Sequence, residues 1–199
     1  MTLPAHAARV LTSFGIASVC SAQFIVVYLT VALRAQVDPI TDPVSDDVFQ
    51  PPGDVLFVVA ILLTLVGAAL IGLAISSTGT SFDRPTRVLF GLWVGGSVLV
   101  VAFQGNRNAQ DPTWHGELHR LGGAVFLICL PLACWTLART LASAPRLRRR
   151  AMVGLVTTAC FGLTQIVPSL PEGLLERVAL GVDFSLLLTI ALAVRRTAP

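Results

Sequence analysis

A chain of 199 residues that is 54% hydrophobic and only 13% charged is not an ordinary soluble domain, in which about 25% of residues are charged. Its mean hydropathy of +0.78 comes from several long apolar runs, the pattern of a polytopic membrane protein. The net charge of +3 rests on 14 arginines and no lysine, which excludes Schiff-base and amine-nucleophile chemistry.

His6 and Arg9 lead into an apolar run from Val10 to Leu33. Ala17-Ser-Val-Cys20 resembles a lipoprotein cleavage site. The run, however, outlasts the ~7–15 residues of a signal-peptide core, and valine is a poor residue before the cysteine. It reads as an uncleaved first span (about 10–33). Residues 34–54 carry Asp38, Asp42, Asp46, Asp47 and Asp54 among prolines. Proline disfavours helix in the residue before it, so this is an acidic, irregular, solvated loop. It lacks the spacing and the glycine of a helix–loop–helix calcium site. The second span runs from Val55 to Ser76, with Asp54 as its expected N-cap. The third runs from Pro85, suited to a first helical turn, to Phe103. Gly91, Gly95 and Gly96 lie on it at near-helical spacing, which lets a second helix approach closely.

A polar segment, residues 104–120, separates this run from the fourth span, Leu121 to Leu141. A basic loop (142–150), a short fifth span (Ala151 to Val167) and a sixth (Gly173 to Val194) complete the chain. The four cysteines all fall in apolar runs and read as small packing residues rather than a disulfide framework.

Counting arginines orients the spans. With the N-terminus cytoplasmic, Arg9, Arg84, Arg87, Arg139, Arg146, Arg148, Arg149, Arg150, Arg195 and Arg196 fall inside, and Arg34, Arg107, Arg120 and Arg177 outside, a split of 10 against 4. That follows the positive-inside rule. The expected fold class is all-α: a polytopic integral membrane bundle of six transmembrane helices, one membrane domain over residues 1–199, with N- and C-termini cytoplasmic. The expected location is a bacterial inner membrane. Arg146, Arg148, Arg149 and Arg150 are expected to set topology and attract anionic lipid. No aromatic or motif context supports nucleic-acid binding. A homo-oligomer or a larger membrane complex is an expected state for so small a bundle.

The candidate chemistry lies in two places. Asp111-Pro112 is a good helix start, which puts His115 and His119 one turn apart on one face. Two imidazoles at that spacing can chelate a divalent metal with a third ligand from elsewhere: Asp111, an acid of the 34–54 loop, or Glu172 or Glu176. The same histidines could instead hydrogen-bond loop backbone or bind a ligand head group. No cofactor is evident beyond that metal. His-Gly-Glu-Leu-His is not the zinc-protease motif, because its glutamate is misplaced. Asp183, near the middle of the sixth span, costs at least ~2.5 kcal/mol to insert and must find a partner or a proton. Gln23 and Gln165 are its candidate partners, along with the His119–Arg120 end of the fourth span. It serves either as a proton or ion contact or as a neutral hydrogen-bonding bridge between helices.

Phe103-Gln-Gly-Asn106, Asp111-Pro-Thr-Trp-His-Gly-Glu-Leu-His119 and Leu174-Leu-Glu-Arg-Val178, set in six spans, resemble an actinobacterial member of domain-of-unknown-function family 998. The resemblance covers nearly the whole chain. Where members often have Phe-Pro-x-Asp, this chain reads Phe103-Gln-Gly-Asn106, so the family's acid is absent there. The family implies a fold and no activity. A ceramidase-like zinc site needs three histidines, a serine and an aspartate, and only two histidines are suitably placed. The leading expectation is a membrane protein with an outward-facing polar pocket built from Asp111, His115, His119 and Asp183, binding a small ligand, ion or lipid head group. A metal-assisted lipid hydrolase or transferase, a proton-coupled carrier and a structural subunit are the alternatives.

Overall fold

The computed structural model describes residues 5–77, 82–106, 113–140 and 144–197. Each apolar run is a helix: α1 (Ala5–Ala32), α2 (Gly53–Ser77), α3 (Arg84–Ala102), α4 (Trp114–Leu137), α5 (Ala144–Thr164) and α6 (Glu172–Thr197), with a short 3-10 helix at Val44–Phe49. The protein is an all-α bundle, and five of these helices are long and apolar enough to cross a membrane. The sixth, α5, falls short because Arg146, Arg148, Arg149 and Arg150 occupy its first two turns. The apolar part that remains, 151–164, is about 21 Å long. It also ends before the expected Val167. Pro168 holds its predecessor out of the helical region, and the chain turns at 165–166.

Capping explains the other boundaries. Asp83 caps α3, its carboxylate accepting from Thr86 N–H at 3.0 Å, with Pro85 in the first turn as expected. Asp54 does not cap α2. It falls inside the first turn, where its charge still suits the positive helix end. Helix α4 starts at Trp114, seven residues before the expected span, and its cap is Thr113, which accepts from Gly116 N–H at 3.1 Å. Asp111, the expected cap, lies outside the described residues.

The helices pair through backbone contact. α1 packs along α2, and α3 along α4. A β-carbon on Gly67 would sit 3.0 Å from the Gly15 carbonyl oxygen, and one on Gly96 would sit 2.7 Å from that of Gly122. Of the three glycines expected to pack on α3, only Gly96 does so. Gly91 and Gly95 face open space. α5 joins α4 to α6, and α6 closes on α1. α2 and α3, although consecutive, barely touch, leaving an apolar groove of about 450 Å³ past Ala68, Gly72, Phe90, Trp93 and Leu187.

Helix α4 contains Pro131, which has no N–H and so frees the Leu127 carbonyl one turn back. In hydrocarbon that carbonyl must find another donor. Thr158 of α5 supplies it, its hydroxyl donating to Leu127 O at 3.1 Å. Gly154 lets the Pro131 ring approach α5 closely.

The acidic loop is not a free solvated strand. Val37, Val44 and Asp47 are buried, and the loop folds over one end of the bundle as a cap. Arg177 of α6 fastens it, donating from Nη1 to Asp42 O (2.7 Å), Pro39 O (3.2 Å) and Gly173 O, and from Nε to Thr30 Oγ1 on α1. Ile40 O accepts from Leu174 N–H in the first turn of α6.

Gly122→Ala pushes a methyl group into the Gly96 backbone and is expected to destabilise the bundle by about 1–3 kcal/mol. Gly95→Ala, in open space, should be neutral or stabilising by up to about 1 kcal/mol. Thermal unfolding in detergent micelles compares the two directly.

Candidate functional site

Beneath the cap lies a cavity of about 70 Å³, several times the roughly 10–15 Å³ that one water needs. Its wall is mainly apolar: Phe57, Ala60 and Ile61 from α2, Phe126 and Leu127 from α4, Leu180 and Phe184 from α6. The polar groups are His119 from α4, Glu176 from α6, Ser45 from the cap and Thr64 from α2. The Glu176 carboxylate accepts from Val44 N–H at 2.5 Å, which fixes it under the cap. His119 is half-buried, with Nδ1 2.8 Å from Phe103 O and 3.2 Å from Val100 O. These carbonyls close α3 and lack helical donors. Two carbonyl acceptors around Nδ1 place a proton there, so in the neutral ring the lone pair is on Nε2.

His115 goes elsewhere. It is exposed, laid against Trp114 and tilted over the Phe103 ring at 6.1 Å. The two histidines therefore flank Phe103, but only His119 lines the cavity. Among the described residues no three histidine, cysteine or acidic side chains are placed to hold a metal. The expected ligand Asp111 lies outside them. The ends of its loop are tied by Asn106, whose Oδ1 accepts from Thr113 N–H at 3.0 Å and from the Thr113 hydroxyl.

Asp183 is 3% exposed, and neither carboxyl oxygen has a hydrogen-bond partner among the described residues. It lines a second, smaller space together with Trp93, whose indole N–H is also unpartnered. That space shares Thr64, Phe126, Leu180 and Phe184 with the cavity above, so Asp183 lies on the far side of a common wall. Glu176 and Asp183 are seven residues apart, two turns or ~10.5 Å along one face of α6. The expected partners are not there. Gln165 turns to the α5–α6 connection, donating to Glu172 at 2.8 Å. The Gln23 side-chain oxygen is buried and unpartnered, but Gln23 lines neither space.

The site thus gains Glu176, Thr64 and Trp93 and loses His115, Gln165 and Gln23. Glu176 precedes Asp183 by seven residues, a spacing that puts both acids on one face of α6.

The cap has its own electrostatics. Burial pushes the Asp46 carboxyl up to about 6, helped by Asp42, Glu172 and Asp47 and opposed by Arg177. Burial likewise raises Asp47 to about 6, again opposed by Arg177. Acids raised from 3.8 to about 6 on folding hold protons in the native state that the unfolded chain has released. Stability therefore falls as pH rises through that window. Thermal unfolding in detergent should show a higher midpoint below this window than above it, and Asp46→Asn with Asp47→Asn should flatten the difference.

Residues 17–194 match the family described as protein of unknown function (DUF998). No curated protein and no solved structure matches the chain.

Proposed function

The chain belongs to the DUF998 family, and from that premise we propose that it binds a small ligand with one polar end, no larger than a lipid head group, in the cavity beneath the acidic cap. The observation that carries this reading is that His119 and Glu176, from different helices, line one cavity whose remaining wall is largely apolar. A few convergent polar groups in an apolar pocket suit a ligand with one polar end. The Nε2 lone pair of His119 accepts from a hydroxyl or amine of the head group, and the apolar portion lies against Phe57, Ile61 and Phe184. In this reading the protein crosses a bacterial plasma membrane six times, with both termini on the arginine-rich side and the acidic cap outside. Helix α5, 21 residues in all, reaches ~31 Å because its arginines extend into the head-group layer.

The test is mass spectrometry of organic extracts from detergent-purified protein. Wild type and His115→Ala should carry the same small compound. Glu176→Gln and the cavity-filling Ile61→Trp should lose it. Undiminished compound in Ile61→Trp, with the variant folded, overturns the cavity assignment.

A second reading, a proton-coupled carrier, is favoured by the stripe of α6 that joins Glu176 to Asp183 through the shared cavity wall. An unpaired intramembrane acid is the usual mark of a proton or ion pathway. In proteoliposomes, Asp183→Asn should abolish ligand-coupled proton uptake while the purified variant still carries its ligand. Coupled uptake equal to wild type removes this reading.

A further inference from the structure

We propose that the cleft between the end of α4 and the start of α5 binds the phosphate head group of an anionic phospholipid. The cleft measures about 570 Å³ and is lined by Trp135, Arg139, Arg148, Arg149 and Met152, among others, within the usual ~300–1,000 Å³ of small-molecule sites. It lies at the opposite end of the bundle from the capped cavity, so its test is independent of that reading.

An arginine run that only sets topology needs no particular arrangement, and this one has one. The Arg148 guanidinium sits 4.3 Å from the centroid of the Trp135 ring, a stacking that fixes its plane. Arg150 is tied away, hydrogen-bonded to Thr189 of α6. Arg146 does not line the cleft. The four arginines of this segment are therefore divided, and only Arg148 and Arg149 face Arg139 across one space. No acid lines it among the described residues. Asp83, the acid within electrostatic reach of Arg139, is engaged as the cap of α3.

The apolar members identify the occupant as a lipid rather than a free anion. Met152 and Ala138 line the same cleft where α4 ends and the apolar part of α5 begins. A phosphate held by the guanidiniums leaves its acyl chains to run along that apolar side. Tryptophan and arginine at a span end are the ordinary furniture of the head-group layer, and paired guanidiniums suit phosphate oxygens.

Native mass spectrometry of the detergent-purified protein, titrated with phosphatidylglycerol, phosphatidylcholine or inorganic phosphate, tests the proposal. Phosphatidylglycerol should form a 1:1 adduct that phosphatidylcholine does not match. Arg148→Gln with Arg149→Gln should weaken it roughly thirtyfold, two basic groups' worth of head-group attraction. Trp135→Leu, which leaves the charge unchanged, should also weaken it several-fold, and Arg146→Gln should cost far less than Arg149→Gln. Equal losses from Arg146→Gln and Arg149→Gln would reduce the effect to diffuse charge and overturn the cleft. So would equal phosphatidylcholine binding, while displacement of the lipid by equimolar inorganic phosphate overturns the lipid assignment. If the double variant fails to fold, Trp135→Leu and Arg149→Gln alone decide.

Discussion

A single guanidinium holds one end of this bundle together. Arg177 donates to three main-chain carbonyls and a threonine hydroxyl drawn from α1, the acidic loop and α6. Hydrogen bonds from a charged donor are about twice as strong as neutral ones. They act here where the loop has little regular structure of its own to satisfy its backbone. The charge does a second service, because Asp46 and Asp47 are both crowded into the cap and both feel Arg177. Without it the loop would carry buried acids and no cation among them. With it the loop becomes a roof over an interior space.

The interior under that roof is defined by what is left unpaired. Buried polar groups in folded proteins nearly always have partners, yet the carboxyl of Asp183 and the indole N–H of Trp93 have none among the described residues, and both residues line one small space. Upper and lower parts of the interior share four lining residues. The arrangement is two apolar spaces divided by a common wall, with His119 and Glu176 lining the one near the cap and Asp183 and Trp93 lining the other.

The helices were readable from sequence because hydrocarbon thickness dictates the length of an apolar run, and every expected span corresponds to a helix. The start of α3 near Pro85 was readable too, whereas Asp54 fell inside its helix and α5 ended early. What escaped was long-range. Nothing around Arg177 in the chain shows that it reaches back to Pro39 and Asp42, so the loop looked solvated. His115 and His119 share a helical spacing, but the position of Phe103 decides that one ring is exposed and the other meets carbonyls. Gly91, Gly95 and Gly96 look equivalent on paper. The partner that distinguishes them, Gly122, lies on the next helix and across the polar segment.

The bond from Thr158 to the carbonyl freed by Pro131 has a consequence for how α5 is positioned against α4. A helix normally finds its depth by matching its apolar length to the bilayer. The apolar part of α5 is too short to do so with any selectivity, so that gauge is unavailable to it. Thr158 replaces it with a fixed notch: one hydroxyl meets one exposed carbonyl on α4 and sets the axial register between the two helices. Ten residues back along α5 and eight residues on along α4, that register brings Arg148 onto Trp135. The gap that proline opens in one helix thus becomes the ruler by which its neighbour is positioned.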